Sequence, residues 1–165
     1  MDLIYFPDIA KLREWIVQFK TSYFECDNCQ ALHLPHMQNI DGVFDAKVDI
    51  VENILVFSVL AELKPTSIIT LLANLSQINA SSLTAKVFME INDENLPKLV
   101  VSQSFSLSAG MTCNQFLSFL QQAEEQMAAI IFEVYNNDLL YNSSKEDIDD
   151  EELSDRPLHV RFLLH

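Results

Sequence analysis

Cysteine and histidine crowd into one short stretch, Phe24-Glu25-Cys26-Asp27-Asn28-Cys29-Gln30-Ala31-Leu32-His33-Leu34-Pro35-His36-Met37. Thiolate and imidazole at short spacing are the usual tetrahedral ligands of zinc, and a Cys-x-x-Cys pair is also a unit of thiol redox chemistry. Cys26, Cys29, His33 and His36 are therefore the metal candidates of this chain. The local pattern argues against both chemistries. Asp27-Asn28 tolerates positive φ and closes two-residue hairpins, and both flanks are rich in strand formers, which predicts strands over Tyr23 to Cys26 and Cys29 to Leu34. On such a strand His33 and His36 point to opposite faces. His33 also lies about 13 Å along it from Cys29, at ~3.3 Å per residue. Four ligands so placed cannot converge within ~2.3 Å of one ion. A thioredoxin-like pair wants its first cysteine at a helix N-terminus, where a turn is expected instead. The reading is a structural hairpin, with no metal and no cofactor; a zinc-binding or redox-responsive protein using Cys26 and Cys29 with His33 and His36 is the alternative.

No other group of residues makes a stronger case for chemistry. Many serines, His33, His36, His159 and abundant carboxylates could be assembled into a nucleophilic triad on paper, but nothing fixes any serine on a strained turn. With only Gly42 and Gly110, the chain has no Gly-rich phosphate loop, dinucleotide fingerprint or usual nucleophile elbow. The acidic tail lacks the central glycine and regular spacing of a calcium loop. These absences point away from enzyme function.

The elements that must carry these residues fit one domain, since 165 residues with 49% hydrophobic content can bury a sizeable core. A net charge of -14 and a pI near 4.4 disfavour nucleic acid, whose phosphates want Lys and Arg, and anionic membrane surfaces alike. The apolar run Ile54 to Ala61, broken only by Ser58, is far short of the ~20 residues of a spanning helix. Met1-Asp2-Leu3 opens with no basic segment ahead of an apolar stretch, and three cysteines cannot all pair within one chain. A cytoplasmic protein is expected.

Hydrophobic periodicity predicts an α+β order of helix, four strands, helix, two strands and a long helix. Asp8 caps a first helix carrying Ile9, Leu12, Ile16 and Phe19 on one face, with Trp15 beside them. Val43 to Val51 alternates Phe44, Ala46, Val48 and Ile50 with Asp45, Lys47 and Asp49, the mark of a strand with one wet face. Ile54 to Leu63 is apolar on nearly both faces and belongs in the middle of an antiparallel sheet. Pro65 opens a helix to about Ile78 whose stripe of Ile68, Leu71, Leu72, Leu75 and Ile78 is widened by Ile69 and Ala73. Strands are expected over Leu83 to Ile91 and Leu96 to Leu107. Thr112 and Gln115 form a capping box for a last helix bearing Phe116, Leu120, Ala123, Met127, Ile130 and Val134. Domain and tail are divided at 1–141 and 142–165, with Ser143 to Asp155 expected to be a solvated, mobile acidic segment and Leu158 to His165 able to dock back.

The opening stretch, with Asp41-Gly42-Val43-Phe44-Asp45-Ala46-Lys47, Ile78-Asn79-Ala80-Ser81-Ser82-Leu83-Thr84, Asn95-Leu96-Pro97-Lys98-Leu99-Val100-Val101 and Glu124-Glu125-Gln126, resembles the YbjN family of enterobacterial sensory transduction regulators. The likeness covers roughly Tyr23 to Glu133, and the acidic tail departs from it. It implies a twisted antiparallel sheet packed with helices, like that of class I type III secretion chaperones, found as a dimer. It also implies a regulator working by protein contacts in stress response, motility, biofilm or exopolysaccharide and virulence, with no catalytic residues to carry over. The broad arc of the second helix gives a physical place for a homodimer. Ile68, Leu72 and Leu75 can serve the domain's own core while Ile69 and Ala73 face elsewhere, so Ile68, Ile69, Leu72 and Ala73 are the interface candidates. Burial of that arc by the last helix or by Leu158 to Leu164 is the alternative.

Overall fold

The computed structural model describes residues 3–141; the acidic tail and the returning apolar segment anticipated above lie outside the described residues. The element order is α1 (Ile9–Gln18), β1 (Phe24–Glu25), β2 (Leu32–His33), β3 (Val43–Val51), β4 (Ile54–Glu62), α2 (Ile68–Ser81), β5 (Lys86–Glu90), β6 (Lys98–Ser106) and α3 (Cys113–Asn136). Short 3-10 turns at Pro35–Asn39 and Pro65–Ser67 introduce β3 and α2. One six-stranded sheet runs β1-β2-β3-β4-β6-β5, and every pairing is antiparallel. This is the α+β order that the alternation of periods predicts, with the apolar β4 inside the sheet.

The caps were legible in the sequence. Asp8 Oδ1 accepts from the Lys11 N–H at 2.8 Å, and Thr112 and Gln115 exchange side-chain and backbone hydrogen bonds at the start of α3. Each satisfies helix donors that have no partner within the first turn. Leu12, Trp15 and Ile16 of α1, Leu71 and Ile78 of α2, and the whole stripe from Phe116 to Val134 of α3 join one core with Ala46, Val48, Leu55, Phe57, Val59, Ala61, Val87, Leu99 and Val101 of the sheet. Period-2 alternation sends the other parity, Lys47, Ser58, Ser102 and Lys86, across the opposite face in register. The helices therefore form one layer on one side of the sheet.

Three local expectations change. The left-handed hairpin pair is Glu52-Asn53, at φ 48° and 66°, which turns β3 directly into β4; Asp27-Asn28 does not occupy that region. A bulge between Val43 and Asp45 turns Phe44 out to half exposure, under Lys98, where simple alternation had placed it in the core. The fifth strand is shorter than its alternating sequence, and Leu83 and Ile91 at its ends are exposed. Gly110 needs to be glycine: at φ 77° an added Cβ would stand 2.8 Å from the Tyr5 carbonyl, where Tyr5 bridges Met111 and ties the N-terminal segment to the entry of α3.

Candidate functional site

The pairing Phe24 with His33 and Glu25 with Leu32 leaves a loop from Cys26 to Ala31. Because Cys29 lies in that loop and not on a strand, the chain folds back on itself and the 13 Å separation expected from strand geometry does not arise. Cys29 Sγ is 3.2 Å from His33 Nε2, and the two sulfurs are 2.8 Å apart. Cys26, Cys29 and His33 thus offer three ligand atoms within 4.8 Å of one another. The expectation that the four candidates cannot converge fails for these three. It holds for His36, which sits in the 3-10 turn and reaches α3, with its Nε2 2.9 Å from Glu124 Oε1.

The sheet supplies the imidazole's second partner. His33 faces Lys47 across the β2–β3 ladder, which places Asp45 diagonally on the same side. Asp45 Oδ1 lies 2.9 Å from His33 Nδ1 and also accepts the Ala46 N–H at 2.9 Å. Phe24 stacks on the imidazole at 4.7 Å between ring centroids, leaving His33 only 7% exposed. Asp45 is a member of the cluster that sequence reading missed, since it looked like one more wet-face carboxylate.

The electrostatics follow from these contacts. Cys26 is lowered to about 7, first because Cys29 hydrogen-bonds to its sulfur and then because the Asn28 backbone N–H does. Cys29, which must act as donor to that thiolate, is raised, and partial burial pushes it further the same way. For His33 burial opposes the charge, but the hydrogen bond to Asp45 and the sulfur of Cys26 together outweigh it and hold its pKa above the ordinary value. The cluster can hold a thiolate, keep an imidazole in one orientation, or bind a soft cation.

A second surface lies on α2. Leu71 and Ile78 are buried and Ile68 and Leu75 half-buried, whereas Ile69 is 80% exposed, Leu72 60%, and Ala73 exposed with them. Leu72 does not serve the core, as its place in the stripe suggested. With Leu71 and Ile78 fixing the inward axis, Leu72 falls about 100° off it and joins Ile69 and Ala73 at i, i+3, i+4 spacing. A third feature was not anticipated. A groove of about 660 Å³ between β6 and the start of α3 is lined by Gln103, Thr112, Gln115 and Gln122 among others. There Gln103 Oε1 is buried without a hydrogen-bond partner among the described residues.

Comparison with known proteins bears on most of the chain. Residues 8–135 match the family model YbjN, described as "Putative bacterial sensory transduction regulator". YbjN of Escherichia coli K12 is 52% identical over 140 residues, which is 85% of this chain and 89% of that protein, and YbjN of Shigella flexneri matches to the same extent. A crystal structure of YbjN, described as "a putative transcription regulator from E. coli", superposes with a TM-score of 0.83 at 51% identity, over 86% of this chain and 100% of that one.

Proposed function

We propose, from the premise that this chain belongs to the YbjN family, that it is a non-enzymatic bacterial regulator that acts through protein contacts and is built on a homodimer. The observation that carries this reading is the exposed apolar arc of Ile69, Leu72 and Ala73 on α2. An apolar patch that the core does not use marks an interaction surface more often than an accident. Transcription is the process named for the solved relative, yet a net charge of -14 makes direct contact with DNA phosphates unfavourable. Regulation would then pass through a protein partner. Stress response, motility, biofilm or exopolysaccharide control and virulence are the processes in which that partner would act. Among the described residues no helix is long and apolar enough to cross a membrane.

Two copies of so acidic a chain repel at long range, and salt screens that repulsion while leaving apolar contact intact. Dimer affinity should therefore rise with ionic strength. Ile69→Asp should dissociate the dimer without unfolding it, since a two-fold contact places the new charge twice near the axis while an exposed position costs the monomer within about 0.5 kcal/mol. Sedimentation of both proteins at two salt concentrations tests this. A wild-type monomer at tens of micromolar, or a mutant that unfolds, would remove α2 from the interface.

A further inference from the structure

We propose that Cys26, Cys29 and His33 form a zinc site, with two thiolates and His33 Nε2 as ligands, Asp45 holding the imidazole, and the fourth coordination position open. This goes beyond the regulatory reading and does not depend on it. A tetrahedral ion with Zn–S of ~2.3 Å and Zn–N of ~2.0 Å keeps its ligand atoms about 3.5 to 3.8 Å apart. The observed 2.8 Å between the sulfurs and 3.2 Å from Cys29 Sγ to His33 Nε2 need to open by no more than roughly 1 Å, and the Cys26–His33 pair, within 4.8 Å, to close by no more than roughly 1.3 Å, within the give of a loop whose two ends are pinned by strand pairing.

The imidazole is already set for a metal. Asp45 Oδ1 can only accept, so at 2.9 Å it places the proton on Nδ1 and leaves the Nε2 lone pair directed at the sulfurs. The carboxylate is itself fixed by the Ala46 N–H. A carboxylate behind a ligating histidine is the usual outer support of a zinc ligand, because it fixes the tautomer and raises the basicity of the ring. Phe24 closes one face of the ring against water. The charges balance as well: two cysteine thiols lose two protons to the solvent as Zn²⁺ binds, and the ion meets two thiolates and a neutral imidazole. His36 is held by Glu124 on the α3 side, so among the described residues the chain gives three ligands and leaves one position for water or for a further group.

The test uses the full chain, reduced, stripped with chelator and titrated with Zn²⁺ against a chromophoric chelator, and separately with Co²⁺ followed by absorption. One metal per chain is expected, with a thiolate-to-cobalt charge-transfer band. Cys29→Ser should lose the band and at least 100-fold in zinc affinity, Asp45→Asn should keep the band and lose about 10- to 100-fold, and His36→Ala should match wild type. Circular dichroism of each variant separates a lost ligand from a lost fold, and His36→Ala with Asp45→Asn keeps the test decisive if Cys29→Ser does not fold. The proposal is overturned by a reduced wild type that takes up no stoichiometric metal, by a site that survives Cys29→Ser or requires His36, or by two chains sharing one ion. It is equally overturned if the chain's thiols are found paired as a disulfide and, once reduced, bind no zinc.

Discussion

The two edges of the sheet end in opposite kinds of surface. At the β1–β2 edge polar groups answer one another: Arg13 meets Glu25, Cys26 meets Cys29, Cys29 meets His33, and His33 meets Asp45. At the β5 edge α2 presents Ile69 and Leu72, and the link to β5 leaves Leu83 fully exposed. A polar cluster whose members already bond each other has room for little more than an ion, because a large partner would have to break those bonds. An apolar arc has the reverse property, gaining only from a surface that removes it from water. On the two proposals made above, small-ligand chemistry and macromolecular contact would be divided between the edges, with β4 in the middle of the sheet between them.

The most damaging way to break this division is to remove what the edges share. Phe57 lies fully buried on the core face of β4, and Phe57→Ala should cost about 3 to 5 kcal/mol by lost burial and a cavity that the sheet cannot close. Chemical denaturation should show one transition moved to lower denaturant, with zinc uptake and self-association lost together. If zinc uptake persisted after α2 had melted, the edges would be separate folding units.

The sequence foretold the shared middle better than either edge. Periodicity carries the long elements, since β4 is apolar on nearly both faces and α3 repeats a buried residue at steps of four and three through Phe116, Leu120, Ala123, Met127, Ile130 and Val134. It says little about β1 and β2, which are two residues each and depend on tertiary pairing. Extending a strand through Cys29 kept the ligands apart on paper, whereas the loop folds them together. Asp45 was unreadable for a related reason: its contact with His33 depends on the register in which the two-residue β2 pairs with β3, and no local propensity announces it. On α2 the apolar width was visible, but only packing decides whether Leu71 or Leu72 points inward.

A smaller perturbation sharpens the ligand edge by titration. In chelator-treated, reduced protein Cys26 should ionise at about 7, against an ordinary 9.0 when the chain is unfolded, while Cys29 stays protonated above that range. Because the thiolate is the nucleophile, half of Cys26 is reactive at pH 7 in the native chain and about 1% in the unfolded one. Lower basicity reduces intrinsic reactivity about 10-fold, leaving native Cys26 roughly 5-fold faster with a chromogenic disulfide. The Cys26 contribution to stability is present above pH 9.0 and lost as pH falls through about 7, whereas that of His33, whose pKa is raised, is present below its ordinary 6.5 and lost as pH rises through the higher folded value. Equal rates for native and unfolded protein at pH 7 would mean that the sulfur contacts do not form.

The smallest effect is expected where the ligand edge is tied to the helical layer. Arg13 of α1 donates from Nε and Nη2 to the two oxygens of Glu25 at 2.7 and 3.0 Å, a two-point contact between a helix and the two-residue strand β1. Both side chains are well exposed, so solvent screens the pair and Arg13→Ala should change global stability little. Its local effect should be larger in proportion, because β1 holds to the sheet by the pairs at Phe24 and Glu25 alone. Amide exchange should therefore quicken at β1 and the Cys26–Ala31 loop, with the exposed arc of α2 and its self-association unchanged. A double-mutant cycle with Glu25→Ala isolates the pair from the separate loss of either side chain. If Arg13→Ala instead altered exchange on α2 as strongly as on β1, the edges would communicate through α1 and the core it packs into, and a metal at one edge could then influence a partner at the other.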